Sequence, residues 1–222
     1  MMFGLMKDDG KPRVIPPSSS IPGEYPTSAG VHHDMTQPLS AYYISSSHNT
    51  YLHGHQLVGQ VGTEVIARAL RLGCRVIELD VYNAAPSANT GPVVRHGDTF
   101  TSAVAFADCI AAVRDHAFAT SRFPVIITIE NHCDEANQTS MASILTTLLT
   151  EDVIYVPTQE TMHQSPESLK GRVLLRAKLE NAYGQVAPSL RRLVYIPNAK
   201  WAAVYESGID FDGVFTMISC HP

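Results

Sequence analysis

Ionisable and amide side chains lie at or near the ends of four successive apolar runs in this sequence. The set contains two histidines, three carboxylates and one amide: His48, Asn49, Glu78, Asp80, His96 and Glu130. If the four runs are parallel strands of a barrel, their carboxyl ends meet on the face where the active sites of such folds lie. The spacing therefore predicts one face that carries both proton-transfer groups and oxygen ligands.

The oxygen donors in this set suit a hard divalent cation. Glu78 and Asp80 are two residues apart, so their side chains share one face of a strand, and Asn49 and Glu130 are expected at neighbouring strand ends. Such oxygens bind Ca²⁺ or Mg²⁺, whereas zinc prefers nitrogen and sulfur. A lone Glu-x-Asp pair is usually a solvated strand end. The occurrence of this pair together with Asn49 and Glu130 at neighbouring strand ends favours a metal. Without a cation, carboxylates this close would raise one another's pKa.

His48 and His96 are the candidate acid–base groups, since the unperturbed pKa of histidine lies near neutrality. Taken singly, each is more simply explained as a surface histidine or a hydrogen-bonded core histidine. Their position beside the carboxylates favours catalysis. His53, His55 and His116 fit exposed turn or helix positions, and no catalytic role is expected for them.

Alternating apolar patterns place these residues on an α/β framework. Helices are predicted where apolar residues recur every three or four positions, and strands where short apolar runs are bounded by turn residues. The predicted strands lie at 41–44, 75–81, 92–94, 125–129 and 172–175, and the predicted helices at 63–72, 102–119 and 138–150. Strands that alternate with helices indicate a parallel sheet.

Length and charge restrict the class of protein. The chain has 222 residues, of which 45% are hydrophobic, and this is enough for one sizeable core. Its net charge of −5 argues against nucleic-acid binding, which needs a basic surface. No apolar run reaches the roughly 18 residues of a membrane span. We expect an intracellular, cytoplasmic protein that contacts membranes only peripherally.

The cysteines show no metal or disulfide spacing. Cys74, Cys109, Cys133 and Cys220 are far apart in the sequence, and most lie inside apolar patterns. Buried free thiols in a reducing compartment are therefore favoured over disulfides or a zinc site.

Seven ordered motifs between residues 35 and 178 carry a resemblance to a known family. They are Met35-Thr36-Gln37-Pro38-Leu39, Ser45-Ser46-Ser47-His48-Asn49-Thr50-Tyr51, Gly73-Cys74-Arg75-Val76-Ile77-Glu78-Leu79-Asp80, His96-Gly97, Phe123-Pro124-Val125-Ile126, Glu130-Asn131-His132-Cys133 and Leu169-Lys170-Gly171. This segment resembles the X region of eukaryotic phosphoinositide-specific phospholipase C. The resemblance implies a distorted (β/α)₈ TIM-type barrel in X and Y halves. It also implies Ca²⁺-dependent cleavage of phosphatidylinositol 4,5-bisphosphate to diacylglycerol and inositol trisphosphate at a membrane surface.

The resemblance also implies roles for single residues. The family's calcium ligands match Asn49, Glu78, Asp80 and Glu130, and its catalytic histidines match His48 and His96. Glu78 is placed to act in addition as the general base that takes the proton of the inositol 2-hydroxyl. His48 would then donate to a phosphoryl oxygen, and His96 would protonate the leaving diacylglycerol oxygen.

Three further positions match substrate contacts of the family. Arg176 and Lys178 correspond to its basic pair for the ring phosphates, with Arg in place of Lys at the first position, and Ser219 corresponds to a substrate-contacting serine. Two cations at a strand end with no ligand remain an alternative for the basic pair. The sequence departs from the family after Asp80, where residues 81–83 replace the usual Cys-Trp-Asp-Gly.

The order of these motifs predicts three segments. They are a flexible leader rich in Pro, Ser and Gly at 1–34, the X region at 35–180, and a short connector with the beginning of the Y region at 181–222. In the last segment, residues 189–195 resemble the opening strand of the Y region, and residues 218–219 resemble its next strand. A complete barrel takes about 250 residues, so we expect an incomplete barrel that needs the remaining Y-region polypeptide. Two functions follow as alternatives: a calcium-dependent phosphodiesterase, or a catalytically silent X-type module that binds phosphoinositide.

Overall fold

The computed structural model describes residues 33–54, 59–84, 91–97, 102–158, 164–200 and 217–219. After a 3₁₀ turn at Leu39–Ala41, the elements in chain order are β1 (Leu52–His53), β2 (Gln60–Val61), α1 (Thr63–Arg71), β3 (Val76–Tyr82), β4 (Val93–Val94), β5 (Val104–Ala105), α2 (Phe106–His116), β6 (Val125–His132), α3 (Glu135–Val153), β7 (Val173–Ala177), β8 (Glu180–Asn181), β9 (Gly184–Gln185), α4 (Pro188–Arg191), β10 (Val194–Lys200) and β11 (Met217–Ser219). Among these described helices, none is both long and apolar enough to span a membrane.

The central element is a seven-stranded sheet in the order β11-β10-β7-β6-β3-β4-β5. The strands from β3 to β11 on one side of this order run parallel, whereas β4 and β5 are antiparallel to their neighbours. Within the described residues the sheet does not close on itself. The prediction of an α/β fold of the barrel type, present as an incomplete barrel, is confirmed.

The prediction of a parallel third strand is wrong. β4 pairs antiparallel with β3, through Val81 with Val94 and Tyr82 with Val93. A parallel pair needs a crossover of about a dozen or more residues, usually with a helix, and residues 83–92 are too few for one. His96 therefore does not lie at the carboxyl end of a parallel strand.

The prediction of a first strand at 41–44 is also wrong. Tyr42 turns back toward the preceding loop, where its hydroxyl donates to the carbonyl oxygen of Asp34 at 2.6 Å. The chain reaches β3 only at Ser46, which forms an isolated parallel bridge with Val76. This contact lies on the β4 side of β3, so the first half of β3 is flanked by residues 45–47 and its second half by β4.

Three helices cover one face of the sheet, because each has an apolar stripe. The buried residues of this layer include Ile66 and Leu70 of α1, Ile110 and Val113 of α2, Leu145 of α3, and Ile77, Leu79, Ile127 and Leu175 of the strands. Full burial of each such side chain contributes about 1.5–3 kcal/mol. This layer fixes which face of β3, β6 and β7 is left for the site.

The helix boundaries differ from the predicted ones for local reasons. α1 ends as predicted before Gly73, whose φ of 90° suits glycine. α2 begins later than predicted because residues 104–105 pair with β4. α3 begins earlier because the side chain of Asp134 accepts the N–H of Asn137 and caps the helix.

The remaining predictions about the framework concern the cysteines and the last strands. Cys74, Cys109 and Cys133 are buried and free, as predicted, while Cys220 lies outside the described residues. The expected strand at 189–195 begins later, since α4 starts at Pro188 and β10 only at Val194. The expected strand around residues 218–219 is present as β11.

Candidate active site

Side chains of the central strands form rows across the face opposite the helices. Parallel partners point to the same side of a sheet, and alternate residues of a strand share a face. The lowest row is apolar: Val76 of β3 and Ile126 and Leu174 of the next two strands belong to one buried cluster. Above it the side chains become polar, which marks this end of the face as the candidate site.

The polar residues fall into three rows. Glu78, Thr128 and Arg176 are register partners and form the first polar row. Asp80 and Glu130 form the second. Tyr82 and His132 form the third polar row. Because neighbouring strands are about 4.8 Å apart, the first row holds a carboxylate and a guanidinium at backbone positions about 10 Å apart.

The loop at residues 47–51 is fixed against β3 by its backbone. Ser47 N–H donates to Val76 O at 2.9 Å, and Thr50 N–H donates to Glu78 O at 3.2 Å. The Thr50 hydroxyl accepts from Glu78 N–H at 3.0 Å. Between these anchors the chain turns at Asn49, whose φ is 46°, a left-handed conformation that asparagine tolerates better than most residues.

This turn brings the histidine and asparagine onto Glu78. His48 Nε2 lies 3.6 Å from Glu78 Oε2, and the backbone N–H of Asn49 donates to the same oxygen at 3.1 Å. The Asn49 side-chain oxygen faces elsewhere and accepts from the Tyr51 hydroxyl at 3.1 Å. The arrangement pairs an exposed imidazole with a largely buried carboxylate, and both kinds of side chain can transfer protons.

Asp80 is the buried member of the acidic set. Its side chain is only 8% exposed, and its Oδ1 has no hydrogen-bond partner among the described residues. Burial raises the pKa of Asp80 above its usual value, and the charges of Glu130 and Glu78 add to this rise. Burial and then Asp80 raise the pKa of Tyr51 far above its usual range.

The predicted oxygen donors fit a hard cation chemically, although they are not gathered around one point. The partnerless Asp80 Oδ1 and the mutual repulsion within the second polar row are what a bound cation would relieve. The described residues contain no group of three or more His, Cys, Asp or Glu side chains close enough to hold a metal ion. Glu78, Asp80 and Glu130 are neighbours on two strands and Asn49 lies on the adjacent loop, so the four donors would have to be drawn together.

A cavity of about 370 Å³ lies over these rows. Its wall has acidic residues and a histidine on the β3 side and cations on the β7 side. The lining residues are His48, Glu78, Thr128, Ile129, Glu130, Asn131, His132, Arg176, Lys178, Glu180, Asn181, Ala182 and Asn198. Burial lowers the pKa of Arg176, and the charge of Glu78 opposes this shift. Arginine side chains are charged at neutral pH.

The hairpin of β8 and β9 forms one wall of this cavity. Asn181 Nδ2 donates to Cys133 O at 2.8 Å and to Asn131 O at 3.2 Å. Gln138 is buried and bridges the same corner, since its Nε2 donates to Cys133 O and its Oε1 accepts from Ala187 N–H, each at 2.7 Å. The connector after Lys178 is thus held against the end of β6.

The other predicted residues are placed less centrally. His96 is half-buried and is not among the residues that line the described cavity. It follows Arg95, whose N–H donates to Asp80 O at 3.2 Å, so its backbone runs beside β3. Ser219 lies in β11, where only the strand is described.

The histidines expected to be bystanders are not in the cavity wall described above. His53 is exposed. His116 is half-buried, with Nδ1 3.3 Å from Arg71 Nη2. His55 lies outside the described residues.

Sequence reasoning missed several residues of the site. Thr128, Tyr82 and His132 share the face of the carboxylates, and Tyr51 contacts Asn49 from beneath. Thr128 and His132 could have been found, because they lie two residues before and after Glu130 on the same strand. Tyr51 gave no such signal, since its burial depends on tertiary packing.

Comparison with known proteins shows which family the chain belongs to. The family model described as phosphatidylinositol-specific phospholipase C, X domain, matches residues 35–179. The chain is 44% identical over 156 residues to the Bos taurus 1-phosphatidylinositol 4,5-bisphosphate phosphodiesterase delta-4, which covers 69% of this chain and 19% of that protein. It is 46% identical over 150 residues to the Rattus norvegicus delta-1 enzyme, covering 67% and 19%.

A solved structure shares the fold. The crystal structure of L. pealei PLC21 matches with a TM-score of 0.70 and 28% identity, covering 78% of this chain and 26% of that chain. The protein therefore has the α/β architecture of a phospholipase C catalytic region. It belongs to the family of the phosphatidylinositol-specific phospholipase C X domain, as the motifs indicated, and it spans about a fifth of the length of the curated relatives it matches.

Proposed function

We propose that this chain carries the catalytic site of a calcium-dependent phosphodiesterase that cleaves phosphatidylinositol 4,5-bisphosphate to diacylglycerol and inositol 1,4,5-trisphosphate. The observation that carries the proposal is the cavity with His48 and Glu78 on one wall and Arg176 and Lys178 on the other. The relatives named as phosphodiesterases of this lipid support the choice of substrate. A ring phosphate at the cationic wall would place the phosphodiester near the acid–base pair.

The residues divide the reaction into two steps through a cyclic phosphate. Glu78 takes the proton of the inositol 2-hydroxyl, whose oxygen attacks phosphorus, while His48 donates a hydrogen bond to a phosphoryl oxygen. The bond from phosphorus to the diacylglycerol oxygen breaks, and His96 gives that oxygen its proton. His96 then takes a proton from water as the water attacks the cyclic phosphate, and Glu78 returns its proton to the 2-oxygen.

The proposed cation ligands are Asn49, Glu78, Asp80 and Glu130. Bound Ca²⁺ would supply charge stabilisation to the phosphoryl oxygen and make the 2-hydroxyl more acidic. Asp80 supplies its partnerless buried oxygen, and Glu130 lies beside it in the register. Asn49 would contribute its amide oxygen, which accepts from the Tyr51 hydroxyl in this structure.

The location of the substrate determines where such an enzyme would act. Its lipid is held in a membrane, so the protein would work as a peripheral protein at the cytosolic face and take part in signal transduction. Arg176 and Lys178 would bind the ring phosphates, the guanidinium bidentately, and Ser219 would contact the head group.

The decisive experiment is an assay on vesicles that contain phosphatidylinositol 4,5-bisphosphate, with calcium or with a chelator. Release of water-soluble inositol trisphosphate that stops with chelation and in Glu78→Gln supports the proposal. Binding to these vesicles without any release, unchanged by Glu78→Gln, would instead favour the catalytically silent phosphoinositide-binding module.

A further inference from the structure

The two residues of the third polar row and Arg95, which follows β4, form a stack of three planar groups, Arg95, Tyr82 and His132, which we call the ring stack. The rings of Tyr82 and His132 lie face to face, with centroids 4.3 Å apart and an interplanar angle of 4°. The guanidinium carbon of Arg95 lies 4.1 Å from the Tyr82 centroid. Because β4 and β6 flank β3 on opposite sides, Tyr82 lies between the other two groups.

The ring stack ends on a candidate cation ligand. His132 Nε2 lies 3.0 Å from Glu130 Oε1. A carboxylate only accepts hydrogen bonds, so this nitrogen carries the proton. No described residue forms a hydrogen bond with the other oxygen, Oε2. The bond therefore occupies one oxygen of Glu130 and leaves the second for another ligand.

An exposed pair of a histidine and a carboxylate would contribute little to stability if both side chains were free to rotate. The side chain of Glu130 is 50% exposed and that of His132 is 36% exposed. Stacking between Tyr82 and His132 restricts the imidazole, and the cation of Arg95 holds Tyr82 in turn. A restrained donor can restrict the rotamers of the carboxylate that it contacts.

The strand ends that carry the ring stack are themselves tied together. Asn83 Nδ2 donates to Asp134 Oδ2, and Asp134 N–H donates to Asn83 Oδ1, each at 3.1 Å. Arg95 also donates through Nη1 to the carbonyl oxygen of Gly97. The ring stack is thus held at both of its flanks by contacts that do not involve Glu78, Asp80 or Glu130.

We propose that His132 is a positioning residue for Glu130, and that Tyr82 and Arg95 act through it to hold Glu130 Oε2 ready for calcium. The inference rests on the proposed function, because it assigns a role toward the proposed cation. Metal ligands commonly depend on such partners, whose loss lowers affinity about 10- to 100-fold. In this protein the register of β3 and β6 places the partner beside the ligand, because Tyr82 and His132 lie two residues beyond Asp80 and Glu130.

Calcium affinity of the whole purified chain, measured by isothermal titration calorimetry, tests the inference without reference to turnover. Glu130→Gln sets the scale for loss of the ligand itself. His132→Ala should weaken calcium binding about 10- to 100-fold, and His132→Gln, which keeps an N–H donor, should weaken it less. His116→Ala on α2 is the matched control and should bind as the unaltered protein does. Thermal unfolding of each variant separates loss of affinity from loss of fold.

A double variant tests whether the ring stack acts through His132. Tyr82→Leu should weaken calcium binding about 2- to 10-fold, the scale of one aromatic pair. In a protein that already carries His132→Ala, the Tyr82→Leu change should weaken calcium binding by no more than about a further twofold. The two effects are not additive because Tyr82 acts through His132. Additive losses, or a folded His132→Ala with unaltered affinity, would overturn the inference.

The outcomes separate the inference from the proposed function. If the unaltered chain binds calcium and Glu130→Gln weakens binding while His132→Ala does not, only the positioning role is refuted. If the unaltered chain does not bind calcium at all, the calcium-dependent function and the inference fail together.

Discussion

His48 Nε2 lies 3.6 Å from Glu78 Oε2, the same carboxylate oxygen that accepts the backbone N–H of Asn49 at 3.1 Å. The same Glu78 oxygen is thus close to the imidazole of His48 and accepts the backbone N–H of the next residue, Asn49. The turn at Asn49 creates this arrangement, because its left-handed conformation reverses the chain just beside β3.

Glu78→Gln should abolish turnover, because an amide cannot take the proton of the 2-hydroxyl. We expect a loss of at least about 10²-fold in rate, with calcium binding weakened and not lost. Inositol phosphate release from lipid vesicles measures the first effect and calorimetry the second. Glu151→Gln, an exposed change on α3, is the matched control. Turnover that survives Glu78→Gln would show that another group is the base.

His48→Ala and His96→Ala should each lower the rate at least about 10²-fold, the usual scale for an acid–base group. The same assay with His53→Ala and His116→Ala should give nearly unaltered rates, because His53 is exposed on β1 and His116 lies at the end of α2 beside Arg71. A loss at His116 equal to that at His48 would contradict the assignment of the catalytic histidines.

The cations of the β7 wall should determine substrate preference. Replacing both Arg176 and Lys178 by Met should reduce cleavage of the bisphosphorylated lipid far more than cleavage of unphosphorylated phosphatidylinositol, because only the former has ring phosphates to bind. Competition between the two lipids in mixed vesicles measures the ratio. If the unaltered protein already cleaves both equally, the pair has a structural role.

Asp80 should destabilise the calcium-free protein at neutral pH. Its pKa is raised in the folded state, so stability falls as the pH rises from the unfolded-state pKa, near about 3.9, through the folded-state value. Asp80→Asn should therefore raise the free energy of unfolding at pH 7 in a chelator, and the gain should vanish at about pH 3.

Urea unfolding at the two pH values measures this difference. Asp152→Asn, an exposed change near the end of α3, should have no comparable effect. Saturating calcium should reverse the order at pH 7, because the unaltered protein gains binding energy that the variant lacks. Equal stabilities of Asp80→Asn and the unaltered protein at neutral pH would contradict the raised pKa of this carboxylate.

A Y-region polypeptide should raise the activity of this chain. In the described sheet β11 pairs on one side only, with β10, so its other side offers backbone groups for a further strand. Co-expression with a Y-region polypeptide that carries further strands should therefore increase calcium-dependent turnover and yield of folded protein. The Y-region polypeptide alone, and with Glu78→Gln, are the controls. Full turnover by a stable monomer without it would contradict this prediction.

The sequence by itself determined the framework and the chemistry of the candidate residues. Local periodicity was sufficient for α1, β3, β6, β7 and α3, because each buries one apolar stripe or run that neighbouring residues encode. The two-residue spacing of Glu78 and Asp80 likewise placed both on one face, since side chains alternate along a strand. The motifs identified the family for the same reason: they are local and ordered.

Only the tertiary structure decided which strands are neighbours and in which direction they run. The two residues of β4 are too few for a pattern that predicts the direction of the strand. Because β4 pairs antiparallel with β3, His96 does not lie at the carboxyl end of a parallel strand, where it was predicted. The register of β3, β6 and β7 placed Thr128 between Glu78 and Arg176 and stacked Tyr82 on His132. Strand order and register arise from contacts between distant parts of the chain, which no local pattern of residues specifies.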